Sequence, residues 1–233
     1  MKNIVIVGAS SGIGLEIAKL SAEKGYFVHV LSRTEGATSE LLQTKFHKTD
    51  ILDFEMPLPE IEGPIDGLVY CPGSMEQKPF LETTLEDFKG AFDLNVLGAI
   101  RTIQHYLPKL QEAKEGASIV LFSALLAQKG HPLYTNTACA KGAIEGLCKS
   151  LAAEFAPLVR FNCIAPSFVE TPLTQNILTN EDKKHALASK HPLKRLGHPS
   201  DVAFMADFLL SEKAEWITGQ TIGVDGGMST LAF

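Results

Sequence analysis

Short apolar runs alternate with longer amphipathic segments along most of the chain. The apolar runs are rich in branched side chains, which is typical of strands buried on both faces. They predict strands at Ile4–Val7, Tyr26–Leu31, Phe46–His47, Ile65–Tyr70, Ser118–Phe122, Arg160–Ile164 and Thr221–Val224. The intervening segments predict helices at Ile13–Lys24, Leu85–Leu94, Val96–Glu112, Ala138–Phe155 and Asp201–Leu210. This alternation predicts an α/β fold, a doubly wound parallel sheet of about seven strands with helices on both faces.

Length and charge narrow the class of protein. The 233 residues are enough for a single domain with a sizeable core, spanning residues 1–233, and no segment has the composition of a linker. The formal net charge is −6, with acidic and basic residues mixed along the chain. This balance predicts a small-molecule substrate, with no nucleic acid and no membrane as partners.

The cysteines indicate neither a disulfide framework nor a metal site. The four of them, Cys71, Cys139, Cys148 and Cys163, form no Cys-x-x-Cys pair, and no histidines have metal-ligand spacing, so no metal is expected. The first apolar run is too short for a signal peptide or a membrane span. We therefore expect a cytoplasmic protein with reduced thiols.

A glycine-rich turn joins the first predicted strand to the first predicted helix. Its residues are Gly8, Ala9, Ser10, Ser11, Gly12, Ile13 and Gly14. Glycines here let the backbone turn tightly and approach a pyrophosphate, whose charge meets the free amides at the helix start. The alternative is an ordinary tight turn, but its place after the first strand favours a Rossmann-type dinucleotide site. The expected contacts come from Gly8, Ser10, Ser11, Gly12, Ile13 and Gly14.

The residues after the second and third predicted strands bear on the choice of dinucleotide. An acidic side chain after the second strand would favour NAD(H), but the chain has Ser32 followed by Arg33. A guanidinium beside a small hydroxyl suits a 2′-phosphate, so NADP(H) is favoured over NAD(H). The alternative is a solvated loop arginine. Asp50, with Ile51 after it, predicts an adenine contact or else a helix N-cap.

Residues suited to proton transfer lie between the fifth predicted strand and the helix after it. Ser123 follows the strand, and Tyr134 and Lys141 come near the helix start. A phenol has an ordinary pKa of about 10. It exchanges protons near neutral pH only where a cation such as Lys141 lowers that value. Taken singly, the three residues also suit a turn cap, a packing aromatic and a surface charge.

In order along the chain, these motifs resemble the short-chain dehydrogenase/reductase family over nearly the whole length. Gly8, Gly12 and Gly14 match its glycine motif, and Asp50 matches its adenine-contacting aspartate. Its active-site asparagine, serine and lysine correspond to Asn95, Ser123 and Lys141. Residues 160–171 resemble the segment that wraps the nicotinamide, and residues 191–202 and 218–227 resemble the C-terminal signature.

The resemblance implies an oxidoreductase that moves a hydride between a nicotinamide dinucleotide and a small carbonyl or alcohol substrate, of ketone or 3-oxoacyl type. It also implies a homotetramer or homodimer. Apolar residues on Val96–Glu112 and Ala138–Phe155 exceed what one sheet face covers, which likewise predicts association. Further cofactor contacts implied by the resemblance are Gly73, Asn95, Lys141, Pro166, Val169 and Thr171.

Two departures from the family pattern concern the backbone around the site. The usual Asn-Asn-Ala-Gly segment after the fourth strand is replaced by residues 70–73, which read Tyr-Cys-Pro-Gly, so a side-chain amide that ties strands together is missing. Ser167 stands in place of the common glycine after Pro166. Only the close backbone approach of Gly73 is retained.

A third departure concerns the acid. The family tyrosine usually lies four residues before the lysine, but Thr137 stands there, and its aliphatic hydroxyl is too weak an acid. Tyr134 lies seven residues before Lys141, about two helical turns away and on the same helical face. This Tyr-x6-Lys spacing resembles the enoyl thioester reductases, a divergent branch of the family. The match is partial, because Ala124 replaces a second tyrosine common in that branch.

The predicted catalytic residues are therefore Asn95, Ser123, Tyr134 and Lys141. Tyr134 would supply a proton or hydrogen bond, Lys141 would hold the nicotinamide ribose, and Ser123 would orient the substrate oxygen. Asn95 would support a water chain that replaces the proton. The alternatives are an enoyl thioester reductase, a dinucleotide-binding pseudoenzyme or redox sensor, and an epimerase on the same sheet.

Overall fold

A seven-stranded parallel sheet runs through the part of the chain that the computed structural model describes, residues 1–232. The strands are β1 (Asn3–Val7), β2 (Phe27–Ser32), β3 (Thr44–Lys48), β4 (Gly67–Tyr70), β5 (Ala117–Phe122), β6 (Val159–Pro166) and β7 (Thr221–Val224). Their order across the sheet is β3-β2-β1-β4-β5-β6-β7, and every neighbouring pair is parallel. The predicted doubly wound α/β sheet is therefore confirmed.

Helices cover both faces of the sheet. They are α1 (Gly12–Glu23), α2 (Leu85–Phe92), α3 (Gly98–Gln111), α4 (Leu125–Gln128), α5 (Thr135–Phe155), α6 (Glu181–Ala188) and α7 (Pro199–Leu210). Short 3₁₀ turns lie at Gly36–Glu40, Phe80–Glu82, Pro172–Thr174 and Glu212–Ala214. Within residues 1–232, no helix combines the length and the apolar character needed to cross a membrane.

The alternation of side chains along each strand produces two cores, one on each face of the sheet. On one face, Val5, Leu68 and Ile119 pack with residues of α3 and α5 such as Ile103 and Ile144. On the other face, the strand residues are Ile4, Ile6, Val28, Val69 and Val120, and they pack with α1 and α7. Since all the strands are parallel, their carboxyl ends meet at one edge, and the loops that carry the predicted site residues follow these ends.

The helix boundaries differ from the sequence prediction at two places that matter for the site. The predicted break at Asn95 is a π-helical turn, Asp93–Leu97, that connects α2 to α3 without a loop. The predicted helix at Ala138–Phe155 begins earlier, at Thr135, and the Asn136 side chain accepts a hydrogen bond from the Thr137 amide in its first turn. Tyr134 is consequently the residue that precedes the helix, with φ −122° and ψ 30°.

Two elements at the periphery are longer than the sequence predicts or are missing from the prediction. β3 has five residues where the apolar pattern indicates only Phe46–His47, because polar side chains flank the pair on this edge strand. α6 is not predicted, since none of its residues is buried and its sequence has no apolar stripe. Its start is nonetheless capped, as the Asn180 side chain accepts a hydrogen bond from the Lys183 amide.

Candidate active site

Two cavities open at the carboxyl ends of the central strands, and Gly73 lines both of them. The long cavity, about 520 Å³, lies beside β1 and β2, and its lining includes Gly8, Ser10, Ser32, Arg33, Asp50 and Ile51. The small cavity, about 110 Å³, lies between β5, α5 and the loop after β6, and its lining includes Ser123, Thr137, Lys141, Pro166, Val169 and Thr171. Dinucleotides bind in crevices of this kind, where the strand order reverses.

The glycine turn forms the backbone wall between β1 and α1. Gly8 has φ +81° and Gly12 has φ +59°, in the left-handed region that glycine adopts without strain. A Cβ on Gly14 would lie only 2.3 Å from the Gly8 carbonyl oxygen, so this close approach requires glycine. Ser11 precedes α1 and its side chain caps no amide, which leaves the first amides of the helix for an anion.

The far end of the long cavity carries the residues predicted to select the cofactor. Arg33 is exposed and makes no hydrogen bond or ion pair with any described residue. The Ser32 hydroxyl donates to the Thr34 carbonyl oxygen at 2.6 Å, so its proton is already engaged. Asp50 accepts a hydrogen bond from the Leu52 amide at 3.0 Å, which caps a turn. The helix N-cap suggested as its alternative role is therefore wrong.

Ser123 and Lys141 meet where β5 ends against α5. The Lys141 ammonium donates to the Phe122 carbonyl oxygen at 2.9 Å, and the Ser123 hydroxyl donates to Glu145 Oε1 at 2.7 Å. Both side chains are buried. Burial lowers the pKa of Lys141 to about 8, against a weaker opposite effect of the thiols of Cys163 and Cys71. This lysine is thus a buried cation that pairs with no carboxylate among residues 1–232.

Asn95 is turned inward by the π-helical turn. Its amide nitrogen donates to Ser74 Oγ at 3.1 Å and to the Ala91 carbonyl oxygen at 2.8 Å. Its Oδ1 is buried and has no hydrogen-bond partner among the described residues. A Cβ on Gly73 would lie 3.3 Å from this oxygen and 3.2 Å from Lys141 Nζ. An acceptor and a donor therefore open on one spot that lacks a side chain, which fits a sugar hydroxyl of a bound dinucleotide.

Tyr134 lies beside the small cavity but is not part of its lining. It is 1% exposed and packs among Leu125, Leu126, Phe168 and Met228. Within residues 1–232 its hydroxyl makes no hydrogen bond. Burial raises the pKa of Tyr134, opposite in direction to the effect expected of a nearby Lys141. Thr137, one turn before Lys141, lines the cavity instead.

The other tyrosines are committed elsewhere. The Tyr70 hydroxyl donates to the Leu94 carbonyl oxygen at 2.6 Å, and the Tyr106 hydroxyl donates to the Pro59 carbonyl oxygen at 2.8 Å. Tyr26 precedes β2, so it lies at the amino ends of the strands, away from both cavities. Tyr134 packs in a cluster with Leu126 and Met75, which both line the small cavity. It is thus the tyrosine adjacent to the cavity wall.

Three residues near the site are absent from the sequence-based set. Glu145 is bonded to Ser123, and its position four residues after Lys141, on the same helical face, is the signal that would have found it. Cys71 lines the small cavity, and burial raises the pKa of its thiol to about 12, so it is a neutral wall. His191 Nε2 lies 2.8 Å from Ser167 Oγ, and no sequence spacing connects these two residues.

Comparison with known proteins identifies the family. A family model described as enoyl-(acyl carrier protein) reductase matches residues 8–229. The chain belongs to the short-chain dehydrogenase/reductase family. Its relatives include 3-oxoacyl-[acyl-carrier-protein] reductase FabG of Chlamydia muridarum, at 31% identity over 98% of this chain and 97% of that protein. Acetoacetyl-CoA reductase of Synechocystis is 32% identical over 98% of this chain and 97% of that protein.

A solved structure agrees with this short-chain dehydrogenase/reductase assignment. ElxO with NADP bound superposes with a TM-score of 0.87 at 27% identity, over 99% of this chain and 99% of that one. The predicted family, the predicted class of oxidoreductase and the use of a nicotinamide dinucleotide are therefore confirmed. The roles of individual residues stay predictions.

Proposed function

We propose that this short-chain dehydrogenase/reductase uses NADP(H) to interconvert a small 3-oxoacyl or other ketone substrate and its alcohol. The observation that carries the proposal is the meeting of Ser123, Lys141 and Gly73 at the point where the small cavity joins the long one. The two relatives, a 3-oxoacyl reductase and an acetoacetyl-CoA reductase, support the 3-oxoacyl class. The modest volume of the small cavity favours a short acyl chain.

The chain's own residues hold the dinucleotide, which supplies or accepts the hydride when it is bound. In this proposal the turn from Gly8 to Gly14 binds the pyrophosphate, and Lys141 with Asn95 Oδ1 binds the nicotinamide ribose. Asp50 and Ile51 line the adenine end. The nicotinamide side is lined by Ile13, Pro166, Val169 and Thr171.

Arg33 supports NADPH as the preferred cofactor. Its guanidinium lines the end of the long cavity and is bonded to no other described residue, and its planar fork matches a phosphate. The neighbouring Ser32 hydroxyl, whose proton goes to Thr34, offers lone pairs and no free donor. The selectivity for a 2′-phosphate thus depends mainly on Arg33 in this proposal.

Tyr134 is proposed as a donor to the substrate oxygen. It is the tyrosine adjacent to the small cavity, and its raised pKa keeps the phenol protonated at neutral pH. A protonated phenol donates a hydrogen bond to an oxygen that gains negative charge. The role requires the ring to reach past Leu126, whose side chain both packs with Tyr134 and lines the cavity.

The second candidate function is reduction of an enoyl thioester. It is favoured by the seven-residue spacing of Tyr134 and Lys141 and by the description of the matching family model. A hydride delivered to the β-carbon of an enoyl thioester puts negative charge on the thioester oxygen, three bonds from the acceptor carbon, whereas a ketone oxygen is one bond away. Tyr134 lies three residues before the usual position of the family tyrosine. It therefore suits a substrate oxygen that is farther from the hydride acceptor than a ketone oxygen is.

Association with further copies of the chain is part of the proposal. Leu97 on the π-helical turn is 45% exposed, and Ile100, Leu107, Leu147 and Leu151 on α3 and α5 are only partly buried. Apolar helix faces of this kind favour a homodimer or homotetramer. Light scattering at micromolar concentration tests this, and a monomer contradicts it.

The free thiols and the reductase chemistry support a cytoplasmic location.

A substrate and cofactor panel tests the proposed function. The full chain is assayed with NADPH and NADH against acetoacetyl-CoA, crotonyl-CoA and simple ketones, and cofactor binding is measured in parallel by fluorescence. We expect turnover of acetoacetyl-CoA with NADPH. Turnover of crotonyl-CoA alone would establish the enoyl reductase instead. Tight NADPH binding without turnover of any substrate would indicate a pseudoenzyme.

A further inference from the structure

The Ser123 hydroxyl is already bonded to a carboxylate. Ser123 is 2% exposed, and its Oγ lies 2.7 Å from Glu145 Oε1 and 3.5 Å from the Lys141 carbonyl oxygen. Both neighbours are acceptors, so the single hydroxyl proton of Ser123 points to Glu145. The lone pairs of Oγ are then left for a donor, and Ser123 lines the small cavity.

Glu145 connects this hydroxyl to the surface. It lies on α5 four residues after Lys141 and is half-buried. Its Oε1 also accepts a hydrogen bond at 3.4 Å from Gln128 Nε2, whose side chain is exposed on α4. The carboxylate therefore lies between the cavity wall and the solvent.

Ser167, which also lines the small cavity, has a titratable partner in His191. This pair is less suited than Ser123 and Glu145 to exchange protons with water. Ser167 Oγ is bonded to His191 Nε2, and His191 Nδ1 lies 2.9 Å from the Leu187 carbonyl oxygen. A carbonyl only accepts, so Nδ1 carries the proton and Nε2 accepts from Ser167. His191 is 1% exposed with both nitrogens engaged, whereas Glu145 keeps one oxygen without a protein partner in the described chain.

We propose that Ser123 and Glu145 form a proton relay between the substrate oxygen and solvent. In alcohol oxidation, the substrate O–H bond breaks and its proton bonds to Ser123 Oγ. The Ser123 proton passes to Glu145 Oε1, and water removes it there. The C–H electron pair leaves as hydride, so the alcohol is oxidised and the dinucleotide is reduced. Ketone reduction follows the same path in reverse, with a protonated Glu145 supplying Ser123.

The relay rests on the proposed oxidoreductase function and supplies the proton, while Tyr134 donates a hydrogen bond to the same substrate oxygen. Glu145 contacts no substrate, so it acts through Ser123 as a positioning and proton-exchanging residue. The two contributions are separable, because Tyr134 packs in the apolar cluster with Leu126 and shares no hydrogen bond with Glu145 in the described part of the chain.

Steady-state kinetics of Glu145→Gln tests the relay. Gln keeps the size and an acceptor oxygen for Ser123 but cannot take up the proton. We expect kcat to fall by about ten-fold or more, which is less than the roughly 100-fold or more usual for a lost acid or base, because the Tyr134 hydrogen bond to the substrate oxygen remains. The KM for NADPH should stay unchanged. Glu154→Gln, the same change at an exposed position of α5, is the control and should behave as the parent does.

Chemical rescue separates proton transfer from a structural role. In Glu145→Ala, added formate should raise kcat several-fold, because a small carboxylate can enter from the side of Gln128 and take the place of the missing group. Formate should not affect the parent or Glu154→Gln. A purely structural contribution of Glu145 would not respond to formate.

A measurement without cofactor or substrate checks the contact itself. Thermal unfolding of Ser123→Ala, Glu145→Ala and the double variant forms a cycle. We expect each single variant to lower Tm by about 2–4 °C. The Tm of the double variant should be no lower than that of the less stable single variant.

Additive shifts in Tm, or an active parent whose Glu145→Gln variant keeps its full kcat, would overturn the relay alone. A parent without turnover on the whole panel would overturn the proposed function and the relay together.

Discussion

The long cavity and the small cavity share an edge of the sheet and one glycine, but they are built from different material. Backbone forms the side of the long cavity at the glycine turn, where Gly14 has no room for a Cβ against the Gly8 carbonyl. Side chains form the small cavity, where Ser123 and Lys141 are held by hydrogen bonds to one strand end and one helix. The backbone wall has no room for a side chain at Gly14, whereas a side-chain wall can draw an equivalent group from another position of the chain. The displaced tyrosine lies next to the second kind of wall, in the cluster that packs against it.

Gly14→Ala should break the backbone wall and have the largest effect. Its Cβ would lie 2.3 Å from the Gly8 carbonyl oxygen and 3.0 Å from the Ala9 Cα, so β1 and α1 must separate. We expect NADPH binding to weaken by about two orders of magnitude or more, which is roughly 3 kcal/mol, with a lower Tm.

Gly142→Ala is the matched control for that variant. Nothing lies within 4 Å of a Cβ at Gly142, which is in the interior of α5. Alanine there should stabilise the protein by about 0.5–1 kcal/mol, because glycine is a poor helix former. Fluorescence titration and thermal unfolding measure both variants. Unchanged NADPH affinity in Gly14→Ala would show that the glycine turn does not hold the pyrophosphate.

The same contrast explains what could be predicted from the sequence. The strands, the glycine turn and the order of the motifs can be predicted from the sequence, because apolar runs and glycines follow directly from the local backbone geometry. The π-helical turn at Asp93–Leu97 and the bond between Ser123 and Glu145 cannot be predicted from the sequence, since they depend on how two packed elements meet. For Glu145 the sequence indicates only that it shares a helical face with Lys141. Tyr134 shows the limit most clearly. Its spacing places it on the face of Lys141, but the chain enters α5 at Thr135, and the ring packs into an apolar cluster.

Lys141→Met tests the buried cation of the side-chain wall. Burial lowers the pKa of Lys141 from 10.5 to about 8, so between these values the unfolded chain holds a proton that the folded chain has lost. Stability rises with pH wherever the unfolded state binds more protons. The free energy of unfolding of the parent therefore rises by up to about 3 kcal/mol as the pH rises from 8 to 10.5. Below pH 8 this group adds no pH dependence, because Lys141 is protonated in both states.

The measurement is the difference in the free energy of unfolding between the parent and Lys141→Met, from urea unfolding at several pH values. We expect this difference to shift in favour of the parent by about 3 kcal/mol from pH 7 to pH 10.5. Lys149→Met, at an exposed position of α5, is the control. A difference that does not vary with pH would mean that Lys141 is solvated in the folded protein.

Tyr134→Phe tests whether the displaced phenol belongs to the small cavity at all. The ring and its packing among Leu126 and Phe168 are kept, and only the hydroxyl is lost. If Tyr134 donates to the substrate oxygen, kcat should fall by about two orders of magnitude, the usual scale for a lost hydrogen-bond donor to a developing oxyanion. The affinity for NADPH should be nearly unchanged. Full activity in the Phe variant would leave Ser123 as the donor that contacts the substrate.

Arg33→Ala should have a smaller effect, confined to the far end of the long cavity. A hydrogen bond to a charged group contributes about 1.5–3 kcal/mol, so NADPH affinity should fall by about ten-fold or more while NADH affinity barely changes. Arg33→Lys keeps the charge without the planar fork and should lie between the two. Equal affinity of the parent for NADPH and NADH, by fluorescence titration, would refute the cofactor preference.

Thr137→Val should have the smallest effect, although Thr137 occupies the usual position of the family tyrosine and lines the small cavity. Its Oγ1 makes one weak contact, 3.5 Å from Asn136 Oδ1, and valine has nearly the same shape. The Thr137 amide keeps its hydrogen bond to that oxygen, so the start of α5 is preserved. We expect kcat within about two-fold of the parent, since an aliphatic hydroxyl is too weak an acid to take the place of a phenol. A loss of ten-fold or more in the substrate assay would instead place Thr137 at the reacting oxygen, and would assign to α5 the same residue position that the rest of the family uses.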